Sequence, residues 1–343
     1  MKASWTFSLI YFIALLVSPN TFALDQKQSQ ELIIQSNKVY DPDKISIDSL
    51  QEYEKKFDFD WNDYSTVSAN QTKINAIENF LKTNPDLSKL NIADKKSLGR
   101  ILFKLSTYYI HITREIDLAI DHLNNASKYL KDHEDVNRIN NQLAYAHAIK
   151  FSLSRKNDDK QKALILSNKV LNQSNNSFEK AFGYFVRGKI EGDANNFGHA
   201  EDNLKKSLQI YAKTSSNKKD QYARAKNLLA STILNINGRE REAVKMLEET
   251  HQYWVKKGNI EKNIYAARNL VTLGEAYYKI GYIDAAQKEV NAAIPTLEQL
   301  YGEKSQWLIG PYQLMSEAYR QSGDTKHSEE FQSKLKQISK NYL

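Results

Sequence analysis

The chain has 343 residues, 41% of them hydrophobic and 26% charged, with a formal charge of +7, which leaves room for two ordinary domains or one long repeat array with a core. Only 12 glycines and 5 prolines occur, too few for a turn-rich sheet fold, and no G-x-G-x-x-G, Walker or G-x-S-x-G string is present to cradle phosphate or raise a nucleophile. The basic residues are scattered among acidic ones rather than gathered in a stripe, which argues against nucleic acid, and the lack of cysteine excludes disulfides and a cysteine-borne lipid anchor.

The chain opens with MKASWTFSLIYFIALLVSPNTFALDQ. Lys2 gives a positive start, Trp5 to Val17 an apolar run, and Thr21-Phe22-Ala23 a small-x-small cleavage site. This predicts a signal peptide over residues 1–23, with the mature chain starting near Leu24. The apolar run is shorter than the ~18–20 residues that span a bilayer, so no stable membrane insertion is expected after cleavage. An exported chain without cysteine suits a periplasm, with secretion as the alternative. Residues 24–97 predict short amphipathic helices on either side of Asp41-Pro42, then a stronger helix in QTKINAIENFLKT that Asn84-Pro85 ends. They are expected to form a helical cap, or else a tether.

From residue 98 onward the chain repeats itself. Leu270-x2-Leu273-Gly274-x2-Tyr277 is followed by Gly281, Ala286-x3-Val290 and Ala293. A second copy, 42 residues on, reads Tyr312-x2-Met315-Ser316-x2-Tyr319, then Gly323 and Ser328. Ala230-Ser231-x2-Leu234, Gly238 and Ala243-x3-Leu247 lie 43 residues earlier, and Tyr184-x2-Arg187-Gly188-x2-Glu191 with Ala200-x3-Leu204 a further 43. Two weaker copies carry Ala163, and Phe103, Ala119-x3-Leu123 and Ala126. Small residues at Gly274, Ser316, Ala243, Ala286 and Ser328 let two helices approach closely. Gly238, Gly281 and Gly323 stand where a helix ends and a left-handed residue is favoured. Amphipathic spacing alone fits any bundle; Gly-x4-Ala at a constant place does not follow from it. SEEFQSKLKQISKNYL predicts a polar closing helix.

This pattern resembles the tetratricopeptide repeat (TPR) family, W-x2-L-G-x2-Y…A-x3-F, with Leu270 where Trp is usual. The resemblance spans about residues 100–340 and is strongest after 220. It implies an all-α, TPR-like helical-repeat solenoid of five to six helix pairs over residues 98–343, with the N-terminal segment as cap. The period of 42–43 rather than 34 implies helices longer by about a turn each. It also implies a concave groove lined mainly by the first helix of each repeat. Carried onto this chain, the family's groove positions fall on Lys104, Tyr108, His111, Tyr145, Arg155, Lys189, Asn235, Arg268, Glu275, Tyr278, Lys279, Gln313, Glu317 and Arg320. The family's Lys/Asn clamp for a terminal carboxylate is not reproduced, since Tyr108 stands where the clamp has Asn. The Lys, Arg and Tyr mixture suits a partner with acidic and aromatic character. Lys288 and Glu298 are expected on the outer face, and Ala285 is expected to be more exposed than Ala286.

Reaction chemistry finds little support. DFDWND at 58–63 begins like a calcium loop, but Asp63 replaces the required Gly and Ala69 the closing Glu, leaving a solvated acidic loop. Seven histidines form no H-E-x-x-H, and no Ser/His/Asp set can be assembled. No metal and no cofactor is expected. The sequence therefore predicts a non-catalytic periplasmic scaffold that binds another exported or membrane protein, with a peptide or ligand sensor signalling through a partner as the alternative.

Overall fold

The computed structural model describes residues 49–57, 70–84, 86–213, 219–258 and 260–342. The expected signal peptide, the helix before Asp41-Pro42 and the DFDWND loop lie outside them. The described residues form α-helices with short 3-10 and π turns and no strand. In chain order the helices are α1 (Leu50–Lys56), α2 (Gln71–Thr83), α3 (Ile92–Tyr108), α4 (Ile116–Tyr129), α5 (His133–Ser154), α6 (Asn157–Gln173) and α7 (Ser177–Asp193). They continue as α8 (Phe197–Tyr211), α9 (Lys219–Ile233), α10 (Glu240–Lys257), α11 (Ile264–Lys279), α12 (Ile283–Tyr301), α13 (Ile309–Gln321) and α14 (Thr325–Tyr342).

From α3 onward the helices follow one another as hairpins, and a single backbone feature marks each turn. Arg114, Arg155, Asn195, Gly238, Gly281 and Gly323 all have positive φ, between 56° and 84°. They lie 41, 40, 43, 43 and 42 residues apart. Each ends the first helix of a pair with a left-handed residue, which turns the chain back on itself. The fold is all-α and TPR-like, with six such turns among the described residues and a helical cap ahead of the first.

The molecule divides into two compact units, with the main boundary between Leu229 and Ala230 and Lys262–Ile264 belonging with the first. In the N-terminal unit α1 and α2 bury Leu50, Tyr53, Phe57, Ile74 and Ile77. Glu54 accepts from Arg100 at 3.3 Å, and Asp94 from Gln51 at 3.3 Å, which ties α1 to α3. α3 begins at Ile92, where the Asn91 side chain accepts from the amide of Asp94 at 2.9 Å. The expected boundary at 97/98 thus falls inside a helix, with Ser97 and Leu98 both buried. Ala119, Leu123, Ala126, Ala163, Ala200 and Leu204 of the repeat frame are fully buried. A Cβ on Gly188 would come within 2.4 Å of Leu204 Cγ, so α7 and α8 touch there only because that side chain is missing.

The C-terminal unit repeats this contact. A Cβ on Gly274 would lie 2.3 Å from Val290 Cγ2 and 3.1 Å from the Ala286 carbonyl. In the next hairpin the Ser328 hydroxyl donates to the Ser316 carbonyl at 2.9 Å, so two small polar residues replace the glycine and alanine. Leu270, Val290, Ala293, Leu297, Leu308, Tyr312, Met315 and Ile338 form one apolar core. Tyr277 donates to Glu248 at 2.8 Å, and the Tyr319 hydroxyl accepts from Asn291 at 2.9 Å. The motif tyrosine of one hairpin is therefore tied to the second helix of the hairpin before it. Among the α14 residues whose burial is described only Ser328 and Ile338 are buried; Lys326, Glu329, Glu330, Lys336 and Lys340 are exposed, as a polar closing helix requires.

A candidate partner-binding face

In the N-terminal unit the predicted groove residues are largely committed to the fold. Tyr108 is buried, with its hydroxyl donating to Gln71 at 3.4 Å and its ring edge-on to Tyr109. The His111 ring stacks on Tyr145 at 5.5 Å, and Tyr145 meets Phe182 and Phe185 at 5.8 and 5.9 Å. Tyr108, His111 and Tyr145, expected to line an open groove, are instead buried. The last two lie in a row of rings with Phe182 and Phe185 that runs from one first helix to the next, because an aromatic side chain there gains more from its neighbours' rings than from water. Lys189 donates to Ser152 at 2.9 Å and to Asp193 at 2.9 Å, while Arg155 donates to the Asp193 carbonyl. Lys104 is half-buried on α3.

In the C-terminal unit the structure brings several predicted residues together on α11 and α13. The Tyr278 hydroxyl donates to Glu317 at 3.1 Å and accepts from Gln321. Arg320 grips the same carboxylate through two nitrogens, one at 2.9 Å. This bidentate pairing holds the Glu317 carboxyl below its usual range. Burial, followed by the Glu317 charge, pushes the Tyr278 phenol up to about 12. Gln313 lies half-buried one turn before Glu317 on α13.

The other side of this face is built mainly on α11. Lys279 donates to the Leu234 carbonyl at 2.9 Å and stands 3.6 Å from Glu275. Arg268 donates to the Tyr301 hydroxyl at 2.5 Å and lies over the Tyr265 ring. Asn235 donates to the Ser231 carbonyl at 3.0 Å. Burial pushes the Glu275 carboxyl above its ordinary value, and Lys279 only partly opposes it. Motif spacing did not single out Gln321, Tyr301 or the Leu234 carbonyl: two lie beyond the family's groove positions and the third is backbone. On the opposite side Lys288 is exposed, 3.9 Å from Glu289, but Glu298 accepts from Tyr312 at 2.5 Å and Lys334 at 2.7 Å. Glu298 joins three helices and is not an idle outer residue.

One open cavity, ≈ 830 Å³, lies in the N-terminal unit between α2, α3 and α4, and is lined in part by Lys82, Leu102, Asp121 and His122. At its edge Glu78 accepts from Tyr109 at 2.7 Å and pairs with His122 at 3.1 Å. Among the described residues no three potential metal ligands gather, and no helix is long and apolar enough to cross a membrane.

No protein-family model matches the sequence, and no curated protein matches it. Solved structures do. BtubC (BKLC) from P. vanneervenii is similar over 66% of this chain and 89% of its own, with 18% identity and a TM-score of 0.51. A Rap protein, solved complexed with competence and sporulation factor, is similar over 94% of this chain and 95% of its own, with 15% identity and a TM-score of 0.52. At such identities the likeness is one of fold: the helical-repeat architecture is shared nearly end to end with the Rap protein.

Proposed function

We propose that the chain is a non-catalytic binding protein that holds an exported or membrane-bound partner on the face formed by α11 and α13. The observation that carries this reading is the ordered set Tyr278, Glu317, Arg320 and Gln321, which joins two successive first helices and keeps an exposed arginine in a fixed geometry. Arg and Tyr are the side chains that most often anchor interfaces. The Rap protein of similar fold was solved complexed with a factor, which supports a binding role and keeps a peptide sensor as the second reading.

The test is to pan a random short-peptide library on the purified mature chain. Selected peptides should bind about tenfold more weakly to Gln313→Ala/Arg320→Ala and equally well to Lys288→Ala. Peptides indifferent to the α13 pair would move the site elsewhere, and a chain that enriches none would end the reading. Lys2, the apolar run and Ala23 support export to the periplasm. N-terminal sequencing should return a start at or near Leu24 from the soluble periplasmic fraction; Met1 from membranes would refute it.

A further inference from the structure

The cations of the α11–α13 face already hold partners within the protein. Arg320 is chelated by Glu317, Lys279 is tethered to the Leu234 carbonyl, and Arg268 donates to Tyr301. A partner chosen for acidic groups would therefore have to compete with bonds already made. Glu275 differs from them. Its side chain is only 15% exposed, and its nearest cation is Lys279 at 3.6 Å, too far for a good hydrogen bond. Among the described residues no other donor reaches it. An ionised carboxylate has room for about four hydrogen bonds, and leaving it poorly solvated with so few is costly. Tyr278 stands three residues on along the same helix, a spacing that sets an aromatic neighbour within reach of a cation held at Glu275.

We infer that Glu275 is a specificity-determining subsite that accepts a cationic group of the partner, a lysine or arginine side chain, so that the bound segment is basic at one position. This rests on the binding reading above. The inference reverses the acidic partner that the residue mixture suggested, because that mixture counts charges without counting the bonds they have already made.

The experiment pans the same library on the chain and on Glu275→Gln, with helical content and melting checked for both. The wild-type chain should enrich peptides with Lys or Arg at one position, and Glu275→Gln should lose that preference while keeping the others. For a selected lysine peptide, affinity should fall about tenfold or more on Glu275→Gln. It should fall equally when the lysine is replaced by norleucine, and the two changes together should cost no more than either alone. Peptides without a basic position, or a basic preference that survives in Glu275→Gln, overturn the inference and leave the binding face standing. Failure to select any peptide overturns both.

Discussion

The two units turn their hairpins with the same backbone and different residues. The C-terminal unit places Gly238, Gly281 and Gly323 in the left-handed region; the N-terminal unit places Arg114, Arg155 and Asn195 there. A side chain in that region meets its own backbone, and glycine escapes the penalty. The arginines are instead held by bonds: Arg155 donates to the Asp193 carbonyl and Arg114 to that of Ile110. Turn geometry is therefore set by how closely the two helices pack, and the turn residue only decides how much strain accompanies it.

If packing sets the repeat in both units, overfilling it should cost about the same in each. Ala286→Leu and Ala200→Leu, at fully buried positions, should each destabilise by about 1–3 kcal/mol in denaturant melts, with Ala285→Leu much milder. A loss at one site only would mean that the units are not built alike. The turn residues should respond less. Gly281→Ala should lose about 1 kcal/mol, while Asn195→Gly should lose nothing or gain a few tenths. Equal losses at the two turns would show that Asn195 is kept for something other than its conformation.

Two carboxylates sharpen the contrast further. Burial by itself would raise Glu78, but His122 and the Tyr109 hydroxyl outweigh it and leave the carboxyl below its ordinary value. Glu275, whose one opposing partner is Lys279 at 3.6 Å, is raised because burial outweighs it. The signs follow from linkage. A lowered Glu78 stabilises above its unfolded value near 4.5, and that contribution is lost as pH falls through its folded value. A raised Glu275 costs stability as pH climbs above 4.5 and costs nothing below it. Thermal melts should show Glu78→Gln less stable than wild type at neutral pH and Glu275→Gln slightly more stable, with both differences shrinking in acid. The same sign for both would refute the assignment of donors.

The legible part of the fold was the part written in glycine and alanine. Gly274 and Ala286 advertise a close approach because few other reasons put such residues at a fixed spacing, and Gly238, Gly281 and Gly323 advertise their turns. Arg114 and Arg155 advertise nothing, since arginine is an ordinary helix former, so the first two hairpins showed only through Phe103, Ala119, Leu123, Ala126 and Ala163. The 97/98 boundary falls within α3, which begins at an Asn91 cap ahead of the first repeat residues. The binding face was legible as positions and not as bonds. Spacing placed Tyr278, Glu317 and Arg320 on one side, whereas the pairing that satisfies Arg320 and the burial of Tyr108 and Tyr145 depend on neighbours distant in the chain. Glu298 misled for the same reason, its partners Tyr312 and Lys334 lying on later helices.

The bonds from Tyr277 to Glu248 and from Asn291 to Tyr319 join each hairpin to the one before it, well away from the turns. A hairpin so joined cannot open to solvent without releasing a partner on its neighbour. Opening in the C-terminal unit is then cooperative across hairpins, and the backbone amides of α11 and α13 should trade hydrogen for deuterium as one population rather than as two.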